Sequence, residues 1–524
     1  MKFRTLTCIT AMTVFAAALA IPVRLAAQEQ QNKQQPRYKL VDLGTFGGPT
    51  SYGSASGSGN QVLNNAGLST GYADTSTPDP FAPNCFNPDC FVSHTFRWQD
   101  GVLTDLGALP GTNGSAASGI NARGWIAGTS ENGVIDPLIG IPEDRAVLWQ
   151  HGQIINLGTL GGYESVGVAV NGRNQVVGFA TNTIPDPFGL GTQVRTFLWE
   201  NGVMRDLGTL GGPDAFPAGN IAINEGGQVA GSSFTSSNPN SVADSCGQDV
   251  PTEDPFLWEN GKIFDLGGLG GTCGFPISLN KRGQVVGQSD LAGDSTFHPF
   301  LWTKPGPMQD LGTLGGDTGT TNWINDAGEI AGKANLGGPA PQNHHATLWK
   351  NGAITDLGTL SGDSCSNAYQ VNSRGQVVGT SENQTLCLVP TGEHAFLWEN
   401  GGPMVDLNTL VPPGSSLQLT FALSINDRGE IAGTGLPPGC APENIDTCGH
   451  AYLLIPNDGD EGCSQGENPT AATTSTPAAA TLYPTPASPA SRALSDGPTG
   501  VLDRFRARRL PGLGTMGPAT GTAN

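Results

Sequence analysis

Eight copies of one block fill most of this chain, and that periodicity limits the fold more than any single residue does. Asp-Leu-Gly anchors begin at Asp42, Asp105, Asn156 (degenerate), Asp206, Asp265, Asp310, Asp356 and Asp406, spaced 45 to 63 residues apart. A second anchor, an asparagine, recurs at Asn64, Asn121, Asn171, Asn224, Asn280, Asn325, Asn372 and Asn426. An aromatic segment ends at Trp98, Trp149, Trp199, Trp258, Trp302, Trp349 and Trp398, with Leu454 in the eighth slot. Three independent anchors agree on eight. Residues common to every copy build the scaffold, and function is sought where the copies differ.

Each copy reads as four short strands. Strand A is rich in small residues (Ser115 to Ile120) and ends at the asparagine. A turn such as Asn372-Ser373-Arg374-Gly375 leads to strand B, Gln376-Val377-Val378-Gly379. Asn and Gly tolerate the backbone geometry such a turn needs. Strand C is Ala395-Phe396-Leu397-Trp398, and Asn400-Gly401 turns it into strand D, the Asp-Leu-Gly segment, as an Asn-Gly hairpin does. Glycine is abundant (76 residues) and only 13% of residues are charged, which suits tight turns between strands. No amphipathic helix period is visible in the repeats.

The expectation is an all-β chain: a β-propeller of eight four-stranded blades, with strand A nearest the axis. The first copy opens with a lone strand D (38–44) and the last ends with strand C (451–455). Pairing them completes the eighth blade and removes an open sheet edge. Seven blades or an open stack are the lesser readings. A–B and C–D turns then share one uniform face. B–C loops and D–A connections share the other, with long inserts at 72–93, 129–145, 180–194 and 232–254.

The ends are different in kind. Residues 1–27 read as a secretory signal peptide: Met1-Lys2-Phe3-Arg4, an apolar run, then Leu25-Ala26-Ala27 before a cut at Gln28. An uncleaved anchor is the alternative. Cleavage removes Lys2, Arg4 and Arg24 and moves the net charge from −20 to −23. Such an acidic surface repels phosphate backbones, so nucleic acid is excluded as a partner. The mature chain carries no later apolar stretch of spanning length, so it is expected to have no transmembrane segment and to be secreted, cell-surface or periplasmic. Residues 28–37 are a short linker, 38–456 the repeats, and 457–524 a disordered low-complexity tail. That tail ends with a basic patch, Leu502-Asp503-Arg504-Phe505-Arg506-Ala507-Arg508-Arg509-Leu510.

Nine cysteines remain after cleavage. In an oxidising compartment four pairs are expected, Cys85–Cys90, Cys246–Cys273, Cys365–Cys387 and Cys440–Cys448, leaving Cys463 in the tail. Both long-range pairs fall on the variable-loop face.

The blocks resemble the HAF family of extracellular repeat proteins, named for the tripeptide seen here as His394-Ala395-Phe396. The resemblance covers 38–456 through Asp-Leu-Gly-Thr-Leu-Gly-Gly, Ile-Asn and Phe-Leu-Trp-Glu-Asn-Gly. The chain departs from it at Arg145-Ala146-Val147, Asp254-Pro255-Phe256 and His450-Ala451-Tyr452. It implies export and a bacterial source, and no catalytic residues.

Candidate sites are few. His94, His298, His345, His394 and His450 share one slot before the strand C aromatics. Equivalent positions on packed sheets stand about 10 Å apart, far beyond the ~2 Å reach of a metal, so each histidine is expected to bond within its own blade. One Asp per repeat is a turn device, since Asn156 replaces it once. Trp323 lies outside the common tryptophan slot, beside Asn325 on strand A, and is the candidate stacking surface for a sugar ring. Asp458-Gly459-Asp460-Glu461 lacks the spacing of a calcium loop. No motif implies a cofactor, a metal or a catalytic residue. The functional expectation is a binding module for an extracellular protein or glycan, acting through the variable-loop face. A polysaccharide hydrolase or lyase, and a cell-surface structural protein presented by its tail, are the alternatives.

Overall fold

The computed structural model describes residues 37–457, apart from 54–60, 83–84, 88, 112, 138–139, 189–190, 242–243, 248, 339–342, 384–386 and 388–393. The expected signal peptide, most of the linker, the acidic segment after Asn457, Cys463 and the basic patch lie outside the described residues. What is described is all-β, with one helix of four residues, Ile445–Cys448. The strands form six four-stranded antiparallel sheets and one of eight strands. The eight-stranded sheet is two quartets joined by a single parallel bridge between Glu253 and Cys273. Each quartet holds one repeat in the order A-B-C-D, and repeats are numbered below by their asparagines, Asn64 in repeat 1 to Asn426 in repeat 8.

The repeated residues each have a physical task. The glycine at the third position of strand B lies opposite the strand C aromatic: Gly178 faces Phe197, and Gly379 faces Phe396. A Cβ on Gly379 would stand 1.9 Å from the Asn367 carbonyl and 2.8 Å from Phe396 Cε1. Only a residue without a side chain leaves room for that ring. Phe96, Phe197, Phe256, Phe300, Phe396 and Tyr452 are fully buried in this seat. Six C–D turns take positive φ at both central residues, 57° at Asn400 and 69° at Gly401 for example, as a type I′ hairpin requires; that of repeat 5, at Thr303–Gly306, does not.

The histidine of the tripeptide reaches strand D of its own sheet. Nδ1 of His94, His298 and His345 lies 3.0, 2.9 and 2.9 Å from Asp105, Asp310 and Asp356. Each of these aspartates also accepts the backbone amide two residues on, at 2.7 Å. His394 instead meets Asp363, at 3.2 Å, and Asp406 caps the short 3-10 turn Leu407–Thr409.

The asparagines join the repeats to one another. Each Oδ1 accepts amides in its own A–B turn, as Asn372 does from Arg374 and Gln376, both at 3.0 Å. Each Nδ2 donates to the backbone carbonyl of the next repeat's asparagine. These bonds run Asn64 to Asn121, then to Asn171, Asn224, Asn280, Asn325, Asn372 and Asn426, all between 2.9 and 3.1 Å. Asn426 donates back to Asn64, at 3.0 Å. The series returns to its start.

Apolar packing follows the same path. Val378, Ala395 and Leu397 of repeat 7 share a cluster with Ile431, Tyr452 and Leu454 of repeat 8. Ala432 and Leu453 of repeat 8 share another with Val62, Phe96 and Trp98 of repeat 1. The first and last strands of the described residues meet in repeat 8. Tyr38–Asp42 pairs antiparallel with His450–Pro456, Tyr38 opposite Pro456 and Asp42 opposite Tyr452. His450 Nδ1 lies 3.1 Å from Asp42, and Tyr38 is 1% exposed.

Two substitutions test these roles by denaturant unfolding. Asn372→Ala should cost about 2–4 kcal/mol, since buried amides and a carbonyl lose their partner. Gly379→Ala should cost about 3 kcal/mol or more, because the aromatic seat cannot yield without moving backbone. Stability unchanged in either variant would contradict the corresponding role.

Candidate binding face

The B–C loops and D–A connections meet each other in space, as the strand order demands. The four disulfides lie among them or at the strand ends beside them: Cys273 and Cys365, expected in D–A connections, stand within strands Gly270–Leu279 and Cys365–Val371. Cys85 is joined to Cys90, Cys246 to Cys273, Cys365 to Cys387 and Cys440 to Cys448, with Cα–Cα separations of 5.2, 5.6, 5.8 and 5.8 Å. Cys246–Cys273 ties the B–C loop of repeat 4 to the connection entering repeat 5. Asp244 beside it accepts the amides of Cys246 and Gly247, at 3.0 and 3.1 Å, and the Thr272 hydroxyl at 2.7 Å. With both sulfurs in a disulfide and the carboxylate fully engaged, Asp244, Cys246 and Cys273 are loop-ordering groups, not metal ligands.

Trp323 does not present a stacking surface. It is 7% exposed, within a cluster that includes Ala331, Leu348 and Phe396. Repeat 4 carries an insertion before Asn224 that lays Ile221 against that cluster. Asn220 Nδ2 also reaches the Asn322 carbonyl, at 2.6 Å. The insertion is legible, since 18 residues separate Asp206 from Asn224 against 15 from Asp265 to Asn280. What the extra residues would cover is not.

The first three repeats differ from the others. Their B–C hairpins are extended, with strands B of ten residues, Ser69–Pro78, Ile126–Ile135 and Val176–Pro185. Each passes a register shift before its tip. Each tip then begins with Asp-Pro: Asp79-Pro80-Phe81, Asp136-Pro137-Leu138 and Asp186-Pro187-Phe188. Asp79 accepts the Phe81 amide, and Asp186 that of Phe188, at 2.8 and 2.9 Å. This recurring tripeptide was the sequence signal for a built tip, hidden inside inserts that otherwise differ. Exposed apolar side chains gather here: Val134 at 54%, Ile135 at 44%, Ile184 at 50%, with Tyr163 at 37% in the connection between repeats 2 and 3. The Tyr163 carbonyl accepts from Arg145, which also pairs with the buried Glu143.

Beneath the tips lie buried carboxyl groups. Asp214 is fully buried and accepts the Val194 amide at 2.8 Å. Burial, with the Asp186 carboxylate beside it, pushes the Asp214 pKa up to about 8. Burial and the Asp89 carboxyl do the same to Asp74, also to about 8. Asp254 rises to about 6 through burial and Asp265, and Asp290 to about 6 through burial opposed in part by Ser245. Asp105 and Asp356 move the other way. Partial burial raises them, but the histidine and backbone donors outweigh it and hold both below the ordinary value.

No family model matches the sequence, and no curated protein matches it. Among solved structures the chain is similar to an acylaminoacyl peptidase of Pyrococcus horikoshii, at 11% identity over 74% of this chain and 58% of that one, TM-score 0.34. It is similar to a Mycobacterium tuberculosis puromycin-hydrolyzing peptidase, at 15% identity over 76% and 62%, TM-score 0.37. A third is Porphyromonas gingivalis dipeptidyl peptidase 4, at 9% identity over 74% and 58%, TM-score 0.43. The chain thus spans about three fifths of each of these proteins. Likeness at this level transfers neither residue roles nor activity.

The raised carboxyls set a pH dependence. In the folded chain they hold protons that the unfolded chain has released above about pH 4. Their contribution is complete below that point and is lost as pH rises through about 6 for Asp254 and Asp290, and about 8 for Asp74 and Asp214. Thermal unfolding should therefore peak near about pH 5 and fall by a few degrees toward alkaline pH. Asp214→Asn should flatten part of that decline. A midpoint that climbs from acidic to alkaline pH would contradict the assignment.

Proposed function

We propose that this chain is an extracellular binding module of the HAF-like repeat type, built as a closed propeller of eight blades. The asparagine series that returns from Asn426 to Asn64 supports the closed arrangement. So does strand Tyr38–Asp42 completing the last quartet. The four disulfides fit an oxidising compartment. No helix among the described residues is long and apolar enough to cross a membrane.

The observation that carries the binding role is the row of apolar tips on repeats 2 and 3. Val134, Ile135 and Ile184 stand exposed on hairpins whose bases are tightly hydrogen-bonded, so their exposure is held in place. Such a patch on an ordered surface marks an interaction site. Its side chains are branched aliphatics, with Tyr163 the one large exposed ring beside them. That composition suits a protein surface better than a sugar, which asks for flat aromatic platforms. The chain's net charge of −20 favours a partner with basic groups around an apolar centre.

The test compares the mature chain with a variant carrying Val134→Ser, Ile135→Ser and Ile184→Ser. These exposed positions should leave the unfolding midpoint within about a degree, since surface substitutions rarely exceed ±0.5 kcal/mol each. A protein of the culture supernatant retained by the wild type and lost at least tenfold with the variant supports the reading. Thermal shifts run in parallel against neutral and acidic polysaccharides. A polysaccharide shift that the variant preserves would overturn it.

A further inference from the structure

The hairpin of repeat 1 brings together more oxygen ligands than it has protons to share among them. Asp74, at the end of the paired part of strand B, is fully buried, as are Thr50 at 1% and Asn87 at 2% exposure. The Thr50 amide donates to Asp74 Oδ2 at 3.0 Å. The Thr50 hydroxyl lies against that same oxygen and against Asp89 Oδ2, the latter at 3.0 Å. The Asp74 and Asp89 carboxyls also meet directly. The hydroxyl proton and the one proton that the carboxyl pair keeps still leave one of these three oxygen–oxygen contacts without a hydrogen between its atoms.

Asn87 is an independent sign. Its Oδ1 is buried without a hydrogen-bond partner, and its Nδ2 lies 3.3 Å from Asp74 Oδ1, so the amide is aimed into the carboxylate pair. A half-turn of the amide exchanges the two atoms and presents the oxygen instead. The Asp186–Asp214 pair differs, because the Arg195 charge already acts on it. The groups acting on Asp74 are its burial, Asp89 and the Thr50 donors.

We propose that Thr50, Asp74, Asn87 and Asp89 bind a divalent cation, calcium, between strand B and the Cys85–Cys90 loop. Oxygen ligands 2.3–2.6 Å from calcium stand roughly 2.7–3.7 Å apart at the 72–90° angles of a pentagonal bipyramid. The 3.0 Å between Thr50 Oγ1 and Asp89 falls in that span, as does the 3.3 Å from Asp74 to Asn87 Nδ2, the place the amide oxygen takes after the half-turn. Two carboxylates match the charge, and half-exposed Asp89 opens a route for the ion and for water ligands. Magnesium demands a tighter octahedron and gives up water reluctantly, so calcium is the better fit. The ion ties the disulfide loop to the start of strand A in repeat 1. Phe86 of that loop packs against Gly114 at the entry to repeat 2, so the ion also orders the boundary between the first two repeats.

The experiment uses the mature chain and terbium as a luminescent substitute for calcium. Tyr52 and Tyr72, with ring centroids 5.3 Å apart, flank Thr50 and Asp74 and serve as antenna. Tyrosine excitation should give saturable terbium emission, displaced by calcium with a half-effect at about 0.1–1 mM. Calcium should raise the unfolding midpoint by a few degrees, reversibly with EDTA, and magnesium should do less. Asp89→Asn should abolish emission and shift, while its midpoint in EDTA equals or exceeds that of the wild type, because the like-charge contact is gone. Asp186→Asn should keep both responses. Calcium without effect on the wild type, or a full response in Asp89→Asn, or loss of the response in Asp186→Asn, would overturn the proposal.

Discussion

One side chain per repeat holds this molecule together: an asparagine whose oxygen closes its own turn and whose amide nitrogen grips the backbone of the next repeat. Strands within a quartet satisfy one another, but neighbouring sheets face each other mainly with side chains. Apolar packing between sheets is strong yet weakly directional. The buried amide bond adds direction, since a missing partner costs about 1–3 kcal/mol for each buried group. An Asn supplies a donor and an acceptor on separate atoms, whereas a carboxylate lacks the donor and a hydroxyl carries both on one oxygen. Repetition of that bond from Asn64 round to Asn426 sets the angle between successive sheets the same way each time.

Most of the scaffold was legible because its constraints are local or periodic. Type I′ turns at Asn-Gly, small residues on strand A and the aromatic of strand C follow from neighbours in the sequence. The His–Asp pairs were nearly legible, because His345 and Asp356 sit on consecutive strands joined by one hairpin. The reason for Gly379 was not, since it depends on a ring seventeen residues away settling over a backbone. Trp323 misled for the same kind of reason. Its place on strand A was read correctly, but Ile221, which reaches it from two repeats earlier, cannot be foreseen from the repeat itself.

Differences between copies carry the functional content. Repeats 1 to 3 lengthen their hairpins and place Asp-Pro at each tip, and disulfides fix loops in repeats 1, 4, 7 and 8. Burying carboxylates under those tips is costly unless protons, donors or cations answer them. Asp214 is answered by a backbone amide and a nearby arginine, Asp290 by Ser245, and Asp74 by threonine and an amide side chain. Loop order on this face is therefore tied to solution conditions, whereas the asparagine-to-carbonyl series of the uniform face consists of bonds that do not titrate.

Native-state hydrogen exchange across the two chain ends tests closure most directly. In the mature chain, amides of His450–Pro456 should be as strongly protected as those of interior strands such as Val377–Glu382, and removal of Tyr38–Asp42 should release them. Rapid exchange of His450–Pro456 in the intact chain, unchanged by the deletion, would contradict a closed ring and leave an open stack of sheets in its place.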